Sequence, residues 1–136
     1  MILFVIPLSY LAVGCVAKNT IQVGGCNSPP PVLVCNGNSA SPKVTINTNR
    51  PLNAEPPNVC ADQGTTIVFT IVPAGEKGDV SVIPKIAADS WLTGTNSANA
   101  GKIEIPVPTG LEPESAHDYT IVTKDGQCLD PRVEVQ

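Results

Sequence analysis

Charge and aromatic rings are scarce in this chain. Charged residues make up 15% of its 136 positions and aromatic ones 4%, with one Trp, one His and one Met, at position 1. Nucleic-acid surfaces need clustered Lys and Arg and often stacking platforms, so that class of partner is disfavoured. A carbohydrate cleft also leans on aromatic stacking, and two Tyr and one Trp offer little of it. Glycine-rich phosphate loops, dinucleotide fingerprints and EF-hand ligand spacings are all missing. No apolar run reaches the roughly 20 residues that a membrane-spanning helix needs.

What the chain has in quantity is proline (14), glycine (11) and hydrophobic residues (42%). Short runs rich in Val, Ile and Thr alternate with turn formers, which predicts an all-β protein of short strands. The length fits one domain. The net charge of −4 is that of an ordinary solvated surface. Five cysteines are present, an odd number, so one lacks a partner.

Residues 1–17, MILFVIPLSYLAVGCVA, form an apolar run of signal-peptide length. Leu11-Ala12-Val13-Gly14-Cys15 resembles the lipobox of bacterial lipoproteins. The resemblance implies cleavage before Cys15 and acylation of that cysteine, with the lipid bilayer as partner. Several acyl chains hold a protein stably where one does so only marginally. Val16 is not the Asp that marks inner-membrane retention, so the family rule points to the outer membrane, facing the periplasm or the cell surface. The alternatives are a plain secretory signal or a retained helix, with Cys15 incidental.

Residues 15–42 are polar and broken by Gly24-Gly25 and Pro29-Pro30-Pro31. They read as a tether, with a β domain over 43–136. Cys26 and Cys35 lie nine apart and are expected to close a local disulfide loop in the tether. Cys60 and Cys128 are then expected to staple the domain. Four cysteines allow three pairings, so spacing does not decide between them. A zinc pair is the competing use, disfavoured by the single His and by export.

Within the domain, strands are expected at 43–47, 65–72, 79–83, 102–107, 118–124 and 132–135. The run TTIVFTIV at 65–72 is apolar on both faces, as a central strand would be. Residues 102–107 alternate cleanly, and Pro106 marks an edge or a strand end. Residues 48–63 read as a proline-rich crossing and 109–117 as a polar turn. Residues 85–101 read as an irregular stretch with one helical turn near Ile86-Ala87-Ala88 and with Trp91 as a core plug. Six or seven strands with these connections predict a small Greek-key β-sandwich.

The end of the chain adds a resemblance. Gly101-Lys102-Ile103-Glu104-Ile105-Pro106, then Tyr119-Thr120-Ile121-Val122, then Leu129-Asp130-Pro131 before Val133 and Val135, resembles the closing strands of bacterial cupredoxin-like sandwich domains. An immunoglobulin-like sandwich is the structural alternative. The resemblance does not extend to copper, because a blue-copper centre takes two His and a thiolate, and no cofactor is expected. Ser115-Ala116-His117-Asp118 has the letters of a hydrolase triad but reads as a solvated turn, since triad members converge from separate segments. Glu112, Glu114 and Asp118 lack a calcium-binding spacing.

The expected function is a non-enzymatic binding or structural module of the bacterial envelope, partnered by other envelope proteins. One alternative is an inhibitor-type module that inserts residues 93–101 or the ring Cys26–Cys35 into a host or rival enzyme. The other is a small-ligand or metal-binding protein.

Overall fold

The computed structural model describes Cys26, Cys35 and residues 42–75, 78–96 and 101–136. The apolar amino terminus with Cys15, nearly all of residues 15–42, and residues 97–100 after Trp91 lie outside the described residues.

Ten strands form two mixed sheets among the described residues. In the first, β2 (Asn53–Glu55), β1 (Lys43–Asn47), β4 (Thr66–Val72) and β7 (Lys102–Pro106) lie in that order. The apolar run therefore is internal, with β1 parallel to it on one side and β7 antiparallel on the other. Pro106 sits at the end of edge strand β7, where a missing N–H costs no ladder bond.

The second sheet runs β3 (Asn58–Ala61), β10 (Arg132–Val135), β8 (Ser115–Thr123), β5 (Val80–Pro84), β6 (Gly94–Thr95). The short β9 (Cys128–Leu129) also pairs with β8. β9 and β10 oppose β8 in one register, Cys128 facing Val122 and Arg132 facing Asp118. They are one hairpin arm interrupted at Asp130-Pro131, where Pro131 cannot donate but its carbonyl accepts from Tyr119 N at 3.2 Å. The hairpin turns through residues 124–126, with Gly126 at φ 87°, a conformation that a Cβ would strain.

The core lies between the sheets. Ile46, Ile67, Phe69 and Ile105 from the first meet Val80, Val82, Tyr119, Ile121, Val133 and Val135 from the second, each 0–1% exposed. Full burial of such a side chain contributes about 1.5–3 kcal/mol, so these alternating positions set the register of both sheets.

Three expectations need correction. Residues 48–63 are not only a crossing, because they hold β2 and β3. Three-residue and four-residue strands between prolines carry too little periodicity to read. Residues 109–117 are not all turn. β8 begins at Ser115, and His117 is an inward strand residue, 9% exposed.

The third correction concerns the cysteines. The disulfides are Cys26–Cys128 and Cys35–Cys60, not Cys26–Cys35 and Cys60–Cys128. Cys60 alternates with buried Val59 and Ala61, and Cys128 faces Val122, which alternates with buried Ile121 and Thr123. Both bridges therefore lie on the outer face of the second sheet. Cys128 stands six residues along the arm from Glu134, the neighbour of Cys60. At about 3.3 Å per residue this holds Cys26 and Cys35 on the order of 20 Å apart, far beyond the roughly 7 Å that a disulfide allows. The segment after Cys26 is thus fastened to the domain at two points, and no local loop closes in it.

Candidate functional site at the base of the eighth strand

Glu114 has φ 58°, the one non-glycine residue in the left-handed region among those described. Just after it the chain enters β8. Ser115 and His117 are two apart on a strand and so share a face, the inward one that continues through Tyr119 and Ile121. Asp89 closes a single 3-10 turn, Ala87–Asp89, in the connection between β5 and β6. Its carbonyl accepts from Leu92 N at 2.8 Å, which folds Trp91 back over the site.

These elements bring four side chains together. His117 Nδ1 lies 2.7 Å from Asp89 Oδ1, and His117 Nε2 lies 2.8 Å from Ser115 Oγ. Ser115 Oγ donates to the Glu112 carbonyl at 2.5 Å. The Trp91 ring meets the imidazole edge to face, centroids 5.5 Å apart. Asp89 is 5% exposed, and Trp91 Nε1 is buried without a hydrogen-bond partner among the described residues. Trp91 packs against the core, as a plug would.

The order Ser–His–Asp is that of a hydrolase triad, with Asp89 in place of the sequence neighbour Asp118. The serine proton sets it apart. In a resting triad the hydroxyl donates to the imidazole, whereas here the 2.5 Å contact aims it at Glu112. The arrangement is suited to holding three chain segments together.

Asp118 points to the opposite face of β8. Its carboxylate takes two bonds from Arg132, at 2.7 and 3.2 Å. That pairing holds the carboxyl below its ordinary range, against a smaller opposing effect of partial burial. Glu112 and Glu114 are exposed, and no group of three or more His, Cys, Asp or Glu positioned to hold a metal occurs among the described residues.

The other end of the sandwich, at the 124–126 hairpin, has an open cleft of about 380 Å3 lined by Thr48, Ile71, Asp79, Thr123, Lys124 and Asp125. Arg50 pairs with Asp125 at 3.1 Å, and the Thr123 hydroxyl also donates to Asp125. Those bonds, that from Thr123 foremost, keep the Asp125 carboxyl below its usual range. Cys26 is fastened beside this end, at Cys128.

Of the residues singled out in the sequence, Ser115 and His117 are joined, Asp118 is not, and Cys26, Cys35, Cys60 and Cys128 are all oxidised. Asp89 carried no signal. It lies 28 residues from His117 in an irregular stretch, and only the packing of the β5–β6 connection against β8 brings the two together. A start of β8 extended back through Ala116 would have put Ser115 and His117 on one face.

No protein-family model matches the chain, and no curated protein matches it in sequence. Solved structures similar to it include oxidised plastocyanin from Dryopteris crassirhizoma, at 19% identity and TM-score 0.46 over 69% of this chain and 99% of that one. Pseudoazurin from Hyphomicrobium denitrificans is similar at 13% identity and TM-score 0.42, over 71% of this chain and 75% of that one. A Cu(I) amicyanin mutant is similar at 14% identity and TM-score 0.42, over 72% and 94%. The two-sheet, all-β architecture itself rests on the strand pairing described above.

Proposed function

We propose that this chain is a non-enzymatic binding or structural module of a bacterial envelope, anchored by acyl chains on Cys15. The observation that carries the reading is the cysteine pairing. Cys26, Cys35, Cys60 and Cys128 are consumed in two disulfides, which leaves Cys15, at the end of the apolar run, as the odd one. Two structural disulfides also suit an oxidising compartment.

The pairing shortens the leash. Only residues 16–25 separate Cys15 from the first fastening point, a reach of at most about 40 Å. The domain is then held near the bilayer by its hairpin end. The far end, with the 85–93 connection and Trp91, is left for partners among envelope proteins. Ile86, 59% exposed, lies on that connection.

Copper has no part in this reading. The chain has one His, with both ring nitrogens engaged by Asp89 and Ser115, and every cysteine of the domain is oxidised, so the residues do not fit a blue-copper centre.

The test is metabolic labelling with a clickable palmitate analogue in a bacterial host, comparing wild type with Cys15→Ser. Label on the wild type, lost in the variant together with membrane fractionation, is the expected result. A wild-type protein that takes up no label overturns the anchoring.

A further inference from the structure

The hydrogen bonds around His117 can be counted in protons. Three contacts form one chain: Asp89 Oδ1 to His117 Nδ1, His117 Nε2 to Ser115 Oγ, and Ser115 Oγ to the Glu112 carbonyl. Each requires one hydrogen. A hydroxyl supplies one and a neutral imidazole one, while a carboxylate and a carbonyl supply none. With Asp89 ionised, the three contacts thus need one hydrogen more than the hydroxyl and a neutral imidazole bring.

We propose that His117 and Asp89 form an imidazolium–carboxylate pair and that the pair is a proton-operated latch on the connection that carries Trp91. With both ring nitrogens protonated, Nδ1 donates to Asp89, Nε2 donates to Ser115, and Ser115 donates to Glu112. All three bonds are made, and they join the β5–β6 connection, the foot of β8 and the β7–β8 connection. Loss of the extra proton leaves Nε2 and the Glu112 carbonyl competing for the single Ser115 hydrogen. One bond of three is lost, with an acceptor at a buried site unsatisfied. The connection bearing Asp89 and Trp91 is then held to β8 through fewer bonds.

Each charged neighbour has a definite place. Asp89 is the anion in direct contact. Asp118, Arg132 and Lys85 share the outer face of the sheet, where Arg132 bonds Asp118 and Lys85 Nζ bonds Asp130 at 2.7 Å. Glu112 and Glu114 are exposed on the β7–β8 connection and Glu134 lies outward on β10. Asp89 is thus the acidic group placed to hold the imidazolium. The latch stands on the geometry of the domain and does not depend on the anchoring at Cys15.

His117 and Trp91 are the only residues of their kinds, so each can be observed alone. The experiment is nitrogen NMR of the imidazole in the full chain in detergent, followed over pH beside Trp91 fluorescence. A doubly protonated ring is expected, losing its second proton at a pH midpoint shared by a change in Trp91 emission. His117→Gln, if folded, should leave the emission flat across the same range. A bare Nε2 at every pH where the protein is folded overturns the proposal. So does Trp91 emission that ignores the proton. Labelling of Ser115 by a fluorophosphonate, absent in Ser115→Ala, would overturn it in favour of a nucleophilic serine.

Discussion

The ring of Tyr119 meets the ring of Phe69 edge to face across the gap between the two sheets, with centroids 5.9 Å apart. Phe69 is central to the first sheet and Tyr119 to the second, and both are fully buried. Their contact is the middle of the core. The Tyr119 hydroxyl is buried there with no hydrogen-bond partner among the described residues, and burial pushes the phenol well above its ordinary range. The ring is kept for its volume, and the hydroxyl opposes the fold.

Tyr119→Phe should therefore stabilise the protein. It removes an unsatisfied polar group and keeps the edge-to-face contact, a gain of about 1 kcal/mol. Tyr119→Ala should cost about 3–5 kcal/mol, as loss of a buried aromatic does. Urea unfolding of the three proteins checks both, and a Tyr119→Phe variant less stable than wild type would show that the hydroxyl is satisfied.

Protease digestion without reduction should yield peptides linked Cys26 to Cys128 and Cys35 to Cys60. Replacing Cys35 and Cys60 together by Ser should cost about 3.5 kcal/mol on the chain-entropy model, since that bridge spans 25 residues of sequence. A peptide containing Cys26 linked to Cys35 would refute the arrangement on the outer face.

Gly94 is fitted to Ile103. A Cβ on Gly94 would collide with the Ile103 Cγ2 methyl, where β6 of one sheet comes close to β7 of the other. Gly94→Ala should destabilise by about 1–3 kcal/mol through overpacking. In the background of Ile103→Ala the same change should cost much less. A double-mutant cycle with no coupling would contradict the close approach.

The Asp118–Arg132 pair predicts an acid response. Because the folded Asp118 carboxyl is held below its unfolded value, its contribution is present above the ordinary carboxylate range, about pH 3.9, and is lost as pH falls through the lowered value. Both side chains are over a third exposed, Asp118 at 45% and Arg132 at 35%. The contribution is accordingly small, about 0.5 kcal/mol. Asp118→Asn should be less stable than wild type by that amount at pH 7 and equal to it near pH 2 by chemical denaturation. A difference that persists at pH 2 would assign the effect to packing instead.

Much of this architecture was legible in the chain. Strands β1, β4, β5, β7 and β10 were readable to within a residue or so, because each has apolar side chains at every second position, and a half-buried strand imposes that period directly. The internal place of β4 and the edge place of Pro106 followed from side-chain pattern and from a missing N–H. Local chemistry was enough for these.

The tertiary structure alone decided three matters. The nine-residue spacing of Cys26 and Cys35 favoured a local ring, yet each cysteine is bonded to a strand far away, since the outer face of the second sheet presents Cys60 and Cys128 well apart. His117 looked like a turn residue, yet β8 extends back to Ser115 because β10 pairs with it there, Val135 opposite Ser115. Asp89 had no mark in the sequence at all. A periodic strand is written residue by residue along the chain, whereas a disulfide pairing or a Ser–His–Asp cluster depends on which distant segments the packing of two sheets brings within bonding distance.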